Sequence, residues 1–251
     1  MTSSDHDLAR LFDAQYCDFT EDLPLWSALA RDHGSPLIEL GCGTGRVLLN
    51  LAHAGHEVFG VDSNPAMLER AAARLDRESA SRVTLRQEDL KHFSIPRRFR
   101  LAIAPLNVLA ELNDSDIMQS LATVRRHLEP RGAIAMDLPN PAQSLLDPAD
   151  EDEPLDYFED PETGNPIQVS ARQRMNPGNK AVAVSWFYDE LLPDGLVSRH
   201  RFEATYHLRS PDLLIPLLAE AGFADVGLYG DYRFGDYDDS SKRLIAVAVA
   251  V

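Results

Sequence analysis

Three observations predict an α/β fold built on a parallel, doubly wound sheet. Short aliphatic runs alternate with helix-length runs from residue 37 to residue 137. The first of these runs, Leu37-Ile38-Glu39-Leu40, leads directly into a glycine-rich turn, Gly41-Cys42-Gly43-Thr44-Gly45, and then into a helical stretch. After Pro139 the alternation stops, and turn residues instead separate three longer strand-like runs. Those runs predict a small antiparallel sheet inserted before the last helix.

Each element follows in order. Leu8, Leu11, Phe12 and Tyr16, then Leu25, Trp26 and Leu29, have the spacing of one or two amphipathic helices, closed by His33-Gly34-Ser35-Pro36. The first strand is Leu37 to Leu40, and its helix is Arg46 to Ala54. Glu57 to Val61 reads as the second strand. Asp62-Ser63-Asn64-Pro65 reads as the start of a helix that runs through Leu75, with proline at a tolerated first-turn position. Val83 to Leu85 and Phe99 to Ala104 are the third and fourth strands, Ser115 to His127 a helix, and Ala133 to Asp137 the fifth strand.

Residues 147 to 162 hold nine acids, no Lys or Arg, and three prolines. This composition predicts a solvated, partly mobile loop. The wider segment 139 to 165 also suits a lid, since Leu155, Tyr157 and Phe158 offer apolar surface. Pro166 to Arg174, Ala181 to Leu191 and Val197 to Leu208 are the inserted strands. A helix from Pro211 to Ala221 ends at Gly222, and Val226 to Tyr229 and Leu244 to Val249 return to the parent sheet. The expected organisation is therefore a helical cap (1–35), a ligand-binding core (36–138), an acidic loop with the β insertion on the acceptor side (139–209), and closing elements (210–251).

Composition removes several function classes. Of the 251 residues, 44% are hydrophobic and 25% charged, enough for a sizeable core. No run of 18 or more apolar residues is available to span a membrane. The start, MTSSDHDLAR, lacks the order of a secretory signal, so a cytoplasmic location is expected. Forty acidic against 24 basic residues give a net charge of −16, which disfavours nucleic acid as a partner. Cys17 and Cys42 make no disulfide framework, and no Cys/His cluster suggests a metal.

The glycine turn carries the chemistry. Between a strand and a helix it lets a ligand approach the backbone and aims helix N-terminal N–H groups at it. The dinucleotide fingerprint needs Gly or Ala at position 46, where this chain has Arg46, which argues against a nicotinamide-dependent oxidoreductase. Asp62 closes the second strand 21 residues after Gly41, the place of a ribose-binding carboxylate. Glu88-Asp89 follows the third strand, where an acceptor can take an exocyclic amine. One such residue is ordinarily a surface group. Three on consecutive strand ends are more specific.

With these residues in view, the chain resembles the class I S-adenosylmethionine-dependent methyltransferases. The resemblance rests on Leu37 to Gly45, Val58-Phe59-Gly60-Val61-Asp62, Gln87-Glu88-Asp89-Leu90 and Leu128-Glu129-Pro130-Arg131-Gly132. It implies a Rossmann-like sheet of seven strands with the last antiparallel, and S-adenosyl-L-methionine as cofactor. Carried over, Glu39, Gly41, Cys42 and Gly43 surround the methionine part and Asp62 with Ser63 the ribose. Glu88, Asp89 and Leu90 meet the adenine, and Pro105 and Leu106 lie beside the methionine amino group.

After the fourth strand, Asn107-Val108-Leu109-Ala110-Glu111-Leu112 is similar to the Asn-x-x-x-His-Leu segment of small-molecule N-methyltransferases of the glycine and amino-sugar types, with Glu111 in place of His. The resemblance implies a small-molecule methyl acceptor, with N-methylation slightly ahead of O-methylation. Asn107, Glu111 and Tyr16 are the candidate catalytic residues, while an exposed helix residue and a core tyrosine are the plainer readings of Glu111 and Tyr16. His200, His207, Tyr232 and Tyr157 are further candidates for the acceptor pocket. A non-catalytic protein that only binds S-adenosylmethionine or S-adenosylhomocysteine has the same motifs and stays open, as do the acceptor and the oligomeric state.

Overall fold

The structure, a computed structural model, describes residues 4–144, 153–176, 178 and 180–251. Two helices, α1 (Asp5–Tyr16) and α2 (Leu23–His33), precede the first strand. Ser4 caps α1 reciprocally with Asp7: the Asp7 amide donates to the serine hydroxyl, and the Ser4 amide donates to the Asp7 carboxylate.

The main sheet has seven strands: β1 (Leu37–Leu40), β2 (Val58–Asp62), β3 (Val83–Gln87), β4 (Phe99–Ala104), β5 (Leu128–Pro139), β10 (Phe223–Tyr229) and β11 (Arg243–Ala250). Their order is β10-β11-β5-β4-β1-β2-β3. The first five run parallel, with Leu37 paired to Val58 on one side and Leu101 on the other. β11 is antiparallel to both neighbours, pairing Ile245 with Asp137 and with Tyr229. The doubly wound sheet with an inverted last strand is thus observed.

Strand alternation fills both faces. Ile38, Leu40, Ala102, Ala104, Ile134 and Met136 point into one core, with α5 (Asp114–His127) and α7 (Pro211–Glu220). Leu37, Leu101, Ile103, Ala133 and Ala135 point into the other, with α2 and α3 (Arg46–His53). Near-continuous apolar strands are what a sheet covered on both sides requires. Helix starts follow their caps: Asn64 accepts from the Ala66 amide ahead of α4 (Pro65–Ala73), and Asn113 accepts from the Ser115 and Asp116 amides ahead of α5. A short helix, α6 (Pro141–Ser144), follows β5.

A second, antiparallel sheet contains β6 (Glu153–Glu159), β7 (Pro166–Asn176), β8 (Ala181–Leu191) and β9 (Val197–His207), in chain order. β6 corrects the sequence reading of residues 147 to 162 as a loop. Its backbone pairs with β7, placing Phe158 opposite Ile167, and Phe158 packs against Leu11, Val169 and Tyr188. Charge and Pro154 suit a sheet edge rather than a loop. Leu155 and Tyr157 are exposed, so the apolar surface proposed for a lid is not gathered over a ligand site. Residues 145–152, the remainder of that segment, lie outside the described residues.

The two sheets are held together by α1. Arg10 is shared between the buried carboxylates of Asp160 and Glu190, the latter at 2.7 Å. On the opposite side Arg74 binds Asp13 at 2.6 Å, tying the same helix to α4. No helix among the described residues is long and apolar enough to cross a membrane.

Candidate functional site

A cavity of about 740 Å³ opens at the carboxyl ends of β1, β2 and β4, where ligands of such sheets bind. Among the residues named from sequence, Glu39, Gly41, Cys42, Gly43, Asp62, Ser63, Asp89, Leu90, Pro105, Leu106, Asn107, Glu111 and Tyr16 all line it. Glu88 does not. Its amide donates to the Asp62 carbonyl, so it serves the turn and its side chain is off the wall. Tyr232 lines the cavity, but His200, His207 and Tyr157 do not. His200 lies instead 3.5 Å from Glu190, beside the Arg10 cluster, and Tyr157 faces solvent from edge strand β6.

The glycine turn is shaped for close approach. At Gly41, φ is +62° and an added Cβ would clash with Val108 Cγ2. At Gly43, φ is +52° and the nearest atom to an added Cβ is Phe12 Cε1 at 3.9 Å, so only the cavity lies in front of it. The Gly43 amide donates to Asp62 Oδ2 at 2.9 Å, and the Asn64 amide donates to Oδ1 at 2.8 Å. Burial pushes the Asp62 carboxyl up, while the Asn64, Gly43 and Ser63 amides pull it down. Each oxygen keeps a lone pair for a pair of hydroxyls.

Glu39 is the sharpest indication of a missing partner. It is buried on the β1 face that carries α3, and its Oε2 has no hydrogen-bond partner among the described residues. Burial pushes its carboxyl well above the ordinary range, opposed by Arg46 and reinforced by Asp22 and Asp62. An unsatisfied buried acceptor beside an open glycine turn and a ribose-type carboxylate fits a ligand that brings both an ammonium and a sugar. The residues present therefore fit S-adenosylmethionine.

Arg46 explains why the third fingerprint glycine is absent. Its guanidinium binds Asp22 through two hydrogen bonds of 2.6 and 2.7 Å, donates to the Phe19 carbonyl, and sits 5.0 Å from the Phe19 ring. Asp22 is fully buried and also accepts from Trp26 Nε1. The arginine thereby holds the segment between α1 and α2 against the glycine turn.

The backbone after β4 is unusual. Leu106 and Asn107 both have positive φ, +50° and +66°. A leucine in that region stores strain of about 1–2 kcal/mol, a feature that clusters at ligand sites. The two residues turn the chain into a 3₁₀ segment, Val108–Glu111, which sequence periodicity does not reveal. Arg209, fully buried, fastens this segment by donating to the Leu112 carbonyl at 2.6 Å and to Asp114 at 3.0 Å. The Glu111 carboxyl is open to the water of the cavity but walled by protein elsewhere. That enclosure raises its pKa, and the charge of Asp62 adds to the effect.

Above the glycine turn, the rings of Phe12, Tyr16, Phe19 and Tyr232 form a chain, with centroid separations of 4.6, 6.4 and 6.2 Å. Opposite them, Trp186 and Tyr188 of β8 and Phe202, Ala204 and Tyr206 of β9 present alternate side chains of the second sheet to the cavity. The sequence reading missed these residues. Their signal is the period-two placement of aromatics at 186/188 and 202/206, which marks one face of each strand.

Residues 37–132 match a family model described as a methyltransferase domain. The cypemycin N-terminal methyltransferase of a Streptomyces species is 33% identical over 113 residues, 44% of each chain. The chain spans about half the length of the curated relatives it matches. Among solved structures, the CcbJ methyltransferase of Streptomyces caelestis superposes with a TM-score of 0.78 at 22% identity, over 95% of this chain and 96% of its own. The sugar N-methyltransferase KedS8 of a Streptoalloteichus species superposes with a TM-score of 0.76 at 18% identity, over 100% and 94%.

Proposed function

We propose that this chain, whose residues 37–132 form a methyltransferase domain of the S-adenosylmethionine-dependent class, methylates the amine of a small molecule in the cavity between its two sheets. The charge of the cavity carries the reading. Glu39, Asp62, Asp89 and Glu111 line it, while its three cations are already engaged: Arg46 by Asp22, Lys91 by Asp89 and Asp116, and Arg243 by Asp137. A field of that sign favours ligands that enter as cations, as amines do. The names of the two relatives, a cypemycin N-terminal methyltransferase and a sugar N-methyltransferase, agree with it.

Bound S-adenosylmethionine supplies an electrophilic methyl group on a sulfonium, open to in-line displacement. The protein supplies the rest. Glu39 and the Gly41–Gly43 turn hold the amino acid end, Asp62 the ribose hydroxyls, and Asp89 with Leu90 the base. Trp186, Tyr188, Phe202 and Tyr206 exclude water and fix the acceptor's approach. Glu111 faces the cavity, attracts the protonated amine and takes up the proton that the nucleophile must lose.

Two variants test these roles. Asp62→Ala will weaken S-adenosylhomocysteine binding by about 1.5–3 kcal/mol, the range for hydrogen bonds to a charged group. A loss below about 0.5 kcal/mol by calorimetry would mean that Asp62 does not hold the ligand. Glu111→Gln will lower kcat about 100-fold with little change in cofactor affinity. Because burial raises the Glu111 pKa, wild-type kcat should fall with decreasing pH above the ordinary carboxylate range. In the glutamine variant that limb should vanish. An unchanged kcat and pH profile would remove Glu111 from the reaction. Mass spectrometry of products from a panel of amines, phenols and carboxylates decides between N- and O-transfer.

A further inference from the structure

At the wall of the cavity four polar side chains come together: Asp137 of β5, Arg243 of β11, Asn107 after β4 and Tyr232 between β10 and β11. Arg243 Nε donates to Asp137 Oδ1 at 2.7 Å, and its Nη2 donates to Asn107 Oδ1 at 2.6 Å. Tyr232 donates its hydroxyl to Asp137 Oδ2 at 3.0 Å. Burial pushes the Asp137 carboxyl up, while the Arg243 guanidinium and the Tyr232 hydroxyl pull it down. Asp137 is fully buried, whereas Arg243 reaches the cavity wall. The guanidinium thus keeps Nη1 without a partner among the described residues, on a side chain that lines the cavity. The Tyr16 hydroxyl likewise has no partner among the described residues and lies within electrostatic reach of Arg243.

We infer that the Arg243–Asp137 pair determines acceptor specificity, selecting amines that carry an uncharged oxygen, such as a hydroxyl, and rejecting those that carry a carboxylate. The inference rests on the methyltransferase reading above and concerns the same cavity. Arg243 Nη1 and the Tyr16 hydroxyl form a two-donor anchor for a substrate oxygen. An unpaired arginine at this position would draw in a carboxylate, and amino acids would be the natural acceptors. Asp137 cancels that charge. A carboxylate arriving here meets a neutral ion pair in a cavity that already carries Glu39, Asp62 and Glu111, and it would be desolvated without a compensating cation. An uncharged oxygen still takes the charge-assisted hydrogen bond and brings no repulsion. Glu111, Tyr16, Tyr206 and Arg243 line the same cavity, so the proton-accepting carboxylate and the oxygen anchor share one acceptor space.

The test uses matched probes on the full chain: L-phenylalaninol against L-phenylalanine, and glucosamine against glucosaminic acid. Formation of S-adenosylhomocysteine gives kcat/KM, and titration of the complex with S-adenosylhomocysteine gives acceptor affinity. Wild type should prefer each alcohol over its acid by about tenfold or more. Asp137→Asn keeps the shape and the Nε–H acceptor but exposes the guanidinium charge, and should reduce or invert that ratio by about tenfold. Arg243→Met should raise KM for the alcohols more than it lowers kcat. S-Adenosylhomocysteine affinity should change less than about twofold in both variants, which shows that they fold. Equal or better use of the acids by wild type, or a ratio unmoved in Asp137→Asn, overturns the inference. So does a protein that binds S-adenosylhomocysteine but neither binds nor methylates an alcohol. Loss of S-adenosylhomocysteine binding in wild type would instead overturn the methyltransferase reading itself.

Discussion

Replacing Gly43 with valine will abolish S-adenosylhomocysteine binding in a chain that still folds. The space in front of the Gly43 Cα is cavity, since only Phe12 Cε1, at 3.9 Å, lies near an added Cβ. The isopropyl group would therefore displace ligand and not protein. Folding pays a modest penalty, because a β-branched residue at φ +52° is strained by about 1–2 kcal/mol. The same change at Gly41 would be uninformative, since its Cβ would strike Val108 and disturb the fold around the site. A melting temperature within a few degrees of wild type with no calorimetric binding is the expected outcome. Retained affinity within about tenfold would mean the ligand does not pass over this turn.

The largest effect on stability is expected from Arg46→Ala. Asp22 is fully buried and takes two short hydrogen bonds from this guanidinium, leaving Trp26 Nε1 as its side-chain partner among the described residues when it is removed. Stripping one partner from a buried ion pair costs about 3–5 kcal/mol, because the remaining charge is uncompensated. The loss should appear in the denaturant midpoint and also in ligand affinity, since Arg46 lines the cavity and holds the α1–α2 segment that carries Phe19 against it. Adding Asp22→Asn should recover part of the stability, as no buried charge is then left alone. An unfolding free energy within about 0.5 kcal/mol of wild type in the single variant would show the pair contributes little.

The parts of this fold legible in the sequence are those governed by local chemistry. The strand at Leu37 to Leu40, the glycine turn and Asp62 follow from hydrophobic runs and from backbone that only glycine adopts freely, so their positions matched the structure closely. The edge strand β6 was missed because its signal is long-range. Its acids read as loop, and pairing to β7 together with the buried Arg10–Asp160–Glu190 cluster, contributed by segments about 150 residues apart, decides otherwise. The acceptor wall was hidden for a related reason. Trp186, Tyr188, Phe202 and Tyr206 look like ordinary strand aromatics until the second sheet is laid over the first. His207 lies on the face of β9 opposite the cavity, whereas His200 shares the face of Phe202 and Tyr206 but sits beyond the cavity, beside Glu190.

The central claim is that the glycine turn, Glu39 and Asp62 hold S-adenosylmethionine and not a dinucleotide. Calorimetric titration of the wild-type chain with S-adenosylhomocysteine and, separately, with NAD tests it most directly. Saturable binding of one S-adenosylhomocysteine per chain with no heat from NAD is the predicted result. Saturable NAD binding, or no binding of S-adenosylhomocysteine by folded protein, would contradict it.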